Sequence, residues 1–190
     1  MSSRDLAFCC ALLRAAWPRV LARVLAAGNA RSAQIICTKR TDAEQAAEYA
    51  KGRTQPGRIV TYADGIVVKS KHQELVRHGE DAVHALDALL LIGGVSDWRT
   101  KSYEIFMRAG EAEGLVSGLD WNDNGILDAN ERGTRGPRGP QDGPHLECSG
   151  KVFPIPATDP TVLIADPTVN HPPVVGGVPG NPASNQEPPA

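Results

Sequence analysis

The sequence predicts an α+β fold in which helices surround a small antiparallel sheet, followed by an extended Pro-rich tail. Three observations carry that prediction: apolar residues at helical spacing between Leu6 and Leu25, an unbroken apolar run at 85–92 (ALDALLLI) closed by Gly93-Gly94, and a change of composition at Pro154. A helical stripe must bury one side, and a short continuous apolar run suits a strand covered on both faces. Helices packed on a sheet satisfy both needs. With 190 residues and 41% hydrophobic content, the chain suffices for one domain with a core plus extensions, not for two.

Leu6, Cys10, Leu13 and Trp17, then Val20, Leu21, Val24 and Leu25, recur at helical spacing. Pro18 predicts a kink or fresh helix start between the two runs, which end near Gly28. Gln34 to Thr38 is short and rich in β-branched residues, as a buried strand requires. Thr41-Asp-Ala-Glu44 has capping-box spacing, so a helix opens there and reaches about Lys51. Gly52 to Gly57 reads as a loop and Arg58 to Tyr62 as a second strand. The run at 85–92 is a central strand carrying one acid, Asp87. Tyr103, Ile105, Phe106 and Ala109 share a side of a helix over Lys101 to Glu113, and a last strand is expected from about His145 to Val152. From Pro154 onward lie most of the 15 prolines and almost no charge, so no periodic core can form.

A formal charge of -2 with 5% aromatic residues excludes the basic stripe and stacking residues of a nucleic-acid binder. Cys9, Cys10, Cys37 and Cys148 lack the spacing of a zinc ribbon or disulfide framework and read as reduced thiols made in a cytoplasm. Arg14, Arg19, Arg23 and Pro18 interrupt the apolar opening, which therefore suits neither a signal peptide nor a membrane span. The expected location is synthesis in a cytoplasm, with any wall target reached through another agent, and the expected state is a monomer.

Three segments offer metal chemistry: Ser70-Lys71-His72, His84-Ala85-Leu86-Asp87 and Asp142-Gly143-Pro144-His145. A hydrolytic zinc takes about three His or carboxylate ligands and keeps one position open, and His72, Asp87 and His145 would supply that set. Their spacing shares no local HExxH geometry, and single histidines are commonly hydrogen-bonded core or surface residues. Asp87 is the more telling residue. A carboxylate inside ALDALLLI loses several kcal/mol of hydration unless it is compensated, so it needs a metal, an Arg or a helix N-terminus.

The ordered motifs TKRTDAEQ, GRTQPGRIVTYADG, SKH, HALD, a Trp, GLDW and DGPHLE resemble the VanY-like D-alanyl-D-alanine carboxypeptidase family over residues 3–150. They are most similar to its bacteriophage endolysin branch, which cleaves the L-alanyl-D-glutamate bond of peptidoglycan. The resemblance implies the hedgehog/D-Ala-D-Ala-peptidase type of α+β fold, with Zn2+ held by His72, Asp87 and His145. It also implies Asp142 as general base, Ser70 near the substrate, and Arg40 on the substrate or the developing oxyanion, a contribution of about 3 to 4 kcal/mol. The chain departs from the family in the longer connection QELVRHGEDAVHA, which introduces His78 and His84. Asp81 or His84 could therefore stand in for the second ligand, although the apolar run after Asp87 makes Asp87 the better match. In a regular strand, residues three apart face opposite ways, so Gly143-Pro144 must bend the chain to aim Asp142 and His145 at one ion.

Asp120 to Glu131 fits the calcium-loop pattern D-x-N-x-N-G-x5-E. Its oxygens would come from Asp120, Asn122, Asn124, the Ile126 carbonyl, Asp128 and Glu131, with Gly125 at the sharp turn. The flanks do not read as helices, so this would be a lone Ca2+ loop, and an Asn/Asp/Gly-rich turn is the alternative. Because the loop leads toward Asp142 and His145, calcium could order the active site. Two rival functions remain: a D-alanyl-D-alanine carboxypeptidase with the same chemistry, and a non-catalytic wall- or calcium-binding module, which would purify without stoichiometric zinc.

Overall fold

The computed structural model describes residues 2–77, 80–130 and 141–148. Helix α1 (Ala11–Ala26) runs unbroken through Pro18. Proline removes one helical hydrogen bond and crowds the preceding turn, but Leu13, Ala16 and Trp17 before it and Val20 and Val24 after it are all buried on one face. Packing on both sides of the proline holds a single helix, so of the kink and the fresh start that Pro18 allowed, the fresh start does not occur. The first amide of α1, Ala11 N, donates to both Glu80 carboxylate oxygens at 3.1 and 2.9 Å, so an acid from a distant strand serves its N-terminus.

The sheet is antiparallel, as expected. Strand β1 (Arg31–Cys37) pairs along β4 (Ala85–Ile92), β4 pairs with β7 (Asp142–Cys148), and β7 pairs with β6 (Leu115–Gly118). Strand β5 (Val95–Asp97) returns along β4 through Gly93 and Gly94, at φ 56 and 80, the two left-handed residues a tight hairpin needs. A separate hairpin joins β2 (Leu75–Arg77) to β3 (Glu80–Ala82). Helix α2 (Asp42–Ala50) opens on the predicted capping box, with Glu44 N donating to Thr41 Oγ1 and Thr41 N donating to Glu44 Oε2. Helix α3 spans Thr100–Glu111.

Alternation divides the sheet into two chemically different faces. Leu86, Ala88, Leu90, Leu146 and Cys148 join Leu13, Trp17, Phe106 and Met107 in the core beneath α1 and α3. The helix comes close there because of Gly110, where a Cβ would meet Leu146 Cδ2 at 2.5 Å. Asp87, His145 and Glu147 belong to the opposite face.

Two strand expectations are corrected. Residues 58–62 form no strand. The chain doubles back on Gly52, where a Cβ would meet Ile59 N at 2.6 Å, and side chains take the backbone acceptors instead: Gln45 Nε2 donates to Ala63 O and Arg53 Nη2 to Thr61 O. The last strand begins at Asp142, three residues earlier than expected, because Gly143 and Pro144 are accommodated as a bulge. Its predicted end and the Pro-rich tail lie outside the described residues, and no described helix is long and apolar enough to cross a membrane.

A candidate metal centre on the open sheet face

Asp87 and His145 are direct cross-strand partners in the β4–β7 register. The third residue, His72, arrives on a pinned turn: His72 N donates to Ser70 Oγ at 3.2 Å, Ser70 N donates to Gln73 Oε1 at 2.9 Å, and Arg40 N donates to His72 O at 2.7 Å. Ser70 thus shapes the turn that presents His72. The three side chains meet. His72 Nε2 lies 3.2 Å from His145 Nδ1, and each lies 3.1 Å from Asp87 Oδ1. Bonds of about 2.0–2.1 Å to a tetrahedral ion separate its donors by about 3.3 Å, so this triangle has the dimensions of a zinc site's face.

The surroundings decide which atoms carry protons. His72 Nδ1 donates to Thr38 O at 2.8 Å, and His145 Nε2 donates to Glu147 Oε2 at 3.2 Å. The inward nitrogens, His72 Nε2 and His145 Nδ1, face a carboxylate oxygen and are lone pairs whenever the rings are neutral, as metal ligands must be. Three acceptors at such separations repel unless a cation or additional protons sit among them. Without a metal a proton takes that place: burial opposes charge on His145, but its hydrogen bonds to Asp87 and Glu147 win and push it up to about 10. Burial likewise opposes the Asp87 carboxylate, and the two imidazoles hold it well below the usual range. The donor set fits a divalent metal, and each imidazole has the outer hydrogen bond that metal-bound histidines use to fix their orientation.

Arg40 Nη2 donates to Asp87 Oδ2 at 2.7 Å, while Arg40 Nη1 has a longer contact of 3.4 Å with Gln45 Oε1. Asp87 thus has the Arg that was one of its expected compensations on one oxygen, and the two imidazoles on the other. Asp142 is brought to the same place by the bulge, since Gly118 pairs with Asp142 and Ser117 already with Leu146. Ligand atoms of Asp87, Asp142 and His145 lie within 4.8 Å of one another. Gly143 makes the bend possible, because a Cβ there would meet Tyr103 Cγ at 2.9 Å. Burial, opposed by His145 and reinforced by Asp87, pushes the Asp142 carboxyl up from its ordinary value.

The alternative second ligands fall elsewhere. His84 stands three residues before Asp87 and is buried on the other face of the sheet, and Asp81 is exposed on β3. Several neighbours of the site were not singled out in the sequence. Glu147 is held by Lys71 Nζ at 2.5 Å as well as by His145. Cys37 Sγ sits 3.7 Å from His72 Nδ1, behind the ring, and the Trp121 ring lies 5.2 Å from that of His145. A carboxylate two residues past a ligand histidine, on the same strand face, is the signal that could have found Glu147.

Trp121 connects this centre to the predicted calcium loop. Asp120 Oδ2 accepts from Gly125 N at 2.7 Å, Asn122 Oδ1 from Asn124 N at 3.1 Å, Asn124 Oδ1 from Ile126 N at 2.8 Å, and Asp128 Oδ2 from Trp121 N at 3.2 Å. Gly125 has φ 81. Asp120 and Asp128 are buried, Asn122, Asn124 and Ile126 are exposed, and Glu131 lies outside the described residues. The Glu111 carboxyl adds to the charge here: burial, opposed by Arg108 and reinforced by Asp120, pushes it up.

No family model matches the chain, and no curated protein matches it. Among solved structures, the chain is similar to the crystal structure of the Serratia marcescens L-Ala D-Glu endopeptidase ChiX, with 18% identity and a TM-score of 0.43, over 78% of this chain and 89% of that one.

Proposed function

We propose that the chain is a zinc-dependent peptidase acting on peptidoglycan stem peptides, cleaving the L-alanyl-D-glutamate bond as an endolysin. One observation carries the metal: His72 Nε2, His145 Nδ1 and Asp87 Oδ1 converge at 3.1–3.2 Å on the sheet face opposite the helices, with the other nitrogen of each ring already hydrogen-bonded outward. The choice of substrate rests on the motif order that resembles the VanY-like family. Zn2+ held by these three residues would supply Lewis acidity, lowering the pKa of water to about 7 and polarising a carbonyl.

The chain's own groups supply the rest. Asp142, with its carboxyl pushed up by burial and by Asp87, accepts the proton of the attacking water and returns it to the departing amine. Arg40 keeps Asp87 ionised and oriented through one nitrogen, and its remaining donors serve the developing oxyanion. Glu147, braced by Lys71, holds the His145 ring with its Nδ1 inward. Ser70 acts by setting the His72 turn and borders the substrate.

We further propose that Ca2+ binds the 120–131 loop. Buried Asp120 beside the Glu111 carboxyl is a concentration of negative charge that a cation relieves. Through Trp121 against His145, an ordered loop would hold a wall of the active site.

The test is digestion of purified peptidoglycan with the metal-replete protein and mass spectrometry of the new termini. New N-terminal D-glutamate supports the endopeptidase. Release of terminal D-alanine alone makes it a carboxypeptidase, and a protein without stoichiometric zinc and without new termini is a binding module.

A further inference from the structure

The helix-covered face of the same strand pair carries a second set of donors. His84 and Cys148 stand opposite each other beyond the paired ends of β4 and β7, with Cys148 N donating to His84 O at 2.9 Å. Cys10 is brought beside them because its chain pairs with the residue before His84: Cys10 N donates to Val83 O, and Val83 N to Phe8 O, both at 2.9 Å. The two sulfurs are 3.0 Å apart, and ligand atoms of Cys10, His84 and Cys148 lie within 4.8 Å of one another. All three residues are buried, at 4%, 1% and 3% exposure.

The imidazole indicates what the cluster is for. His84 Nε2 donates to Leu75 O at 3.0 Å, which fixes its proton there and leaves Nδ1 as a bare lone pair. That Nδ1 is buried and has no hydrogen-bond partner. Buried polar atoms in native proteins nearly always have one, so an exception needs a cause such as an ion. Cysteine sulfurs come together in a disulfide at about 2.0 Å, in a thiol–thiol hydrogen bond, and through two metal bonds of about 2.3 Å each, which place them about 3.8 Å apart. The separation of 3.0 Å is a hydrogen-bonding contact that either thiol could donate. A disulfide or a thiol–thiol hydrogen bond would leave Nδ1 without a partner, whereas a metal uses all three donors.

We propose that Cys10 Sγ, Cys148 Sγ and His84 Nδ1 form a second, structural metal site for a thiophilic d10 cation, Zn2+ or Cu+. Soft thiolates with one imidazole select such ions over calcium or magnesium. Binding replaces the two thiol protons, which leave to solvent, so no oxidant is involved. The ion ties the start of α1 to the two strands that carry Asp87, His145 and Glu147. The site stands independently of the peptidase reading, since the two donor sets lie on opposite faces of the sheet.

The experiment uses the full chain, purified under reducing conditions with Zn2+ and weighed by native mass spectrometry. Two zinc ions per chain are expected, one of which p-hydroxymercuribenzoate releases by capturing thiolates while the other leaves only with a chelator. Cys10→Ser and Cys148→Ser should each retain one ion that the mercurial does not release, and His72→Ala should retain one that it does. In a parallel anaerobic arm, Cu+ displacing only the mercurial-sensitive zinc would name Cu+ as the better occupant. Wild-type protein with no mercurial-sensitive zinc overturns the site, whether Cys10 and Cys148 are then found as free thiols or, 2 Da lighter, as a disulfide. Loss of the other ion alone would count against the peptidase reading and leave this site standing.

Discussion

The β4–β7 strand pair and the 120–130 loop both gather oxygen or nitrogen donors, but they do so by opposite means. In the strand pair, His72, Asp87 and His145 come from distant parts of the sequence and meet because register places Asp87 beside His145 and a pinned turn delivers His72. In the loop, the donors follow one another, and their side chains are positioned by the amides of residues two to seven positions away. Donors set by tertiary register are held by the core, whereas donors set by local turns are held by the loop itself. Removing a residue from the first should therefore abolish chemistry, and removing one from the second should tune it.

The largest effect belongs to the triangle. His145→Ala or Asp87→Ala should lose the zinc of this site and wall-lytic activity together, on the order of 10³-fold or more, while leaving calcium binding by the loop in place. Metal content and turnover measured on one preparation check this, and full activity in a zinc-free variant would break the comparison at its base. Asp142→Asn should keep the zinc and lower kcat on the order of 10² to 10⁴-fold. Undiminished turnover would remove Asp142 as the base.

Glu147→Gln tests whether the support around the triangle matters as much as the triangle. It should weaken zinc binding about 10 to 100-fold, read by chelator competition, because His145 loses the carboxylate that fixes its tautomer. An unchanged affinity would mean that backbone register alone orients the ring.

The two regions also differ in how legible they were from sequence. The turn within the loop was legible, because its Asp and Asn side chains and Gly125 sit at fixed offsets, whereas Glu131 lies outside the described residues. Helix α2 was legible for the same reason through Thr41 and Glu44. Asp87 announced that it needed a partner by being the one charge in an apolar run, but the identity of its partners, Arg40 and two imidazoles, depends on folding across many residues and came only from the order of motifs. Lys71 and Thr38 gave no signal, and Glu147 only its place two residues past His145, since their roles exist only once β7 is in register and the His72 turn is placed. Strand β6 and the β2–β3 hairpin were missed because three or four residues are too few for periodicity to speak. Pro18 starts no new helix because local propensity yields to buried neighbours on both sides of it.

Coupling between the regions is the next quantity. Asp120→Ala should abolish calcium binding and keep the zinc, and lytic activity should fall several-fold, on the order of the 1–3 kcal/mol typical of coupled sites. Trp121 fluorescence should report the same calcium titration. A flat activity response to calcium, with the loop still binding it, would leave Trp121 against His145 as packing without control.

The smallest expected effect tests whether the loop's backbone alone prepares it for an ion. Gly125 has φ 81, and a Cβ there would meet Arg108 Nη1 at 3.6 Å, so space is available and only the left-handed backbone resists a side chain. Gly125→Ala should therefore cost about 1 kcal/mol, felt as weaker calcium binding and a modest loss of stability, with zinc content unchanged. Gly143→Ala makes the contrast, because its Cβ would run into Tyr103 Cγ at 2.9 Å and displace the bend that holds Asp142. If Gly125→Ala cost turnover as heavily as Gly143→Ala in the presence of saturating calcium, the loop would belong to the catalytic framework and the division between the two regions would fail.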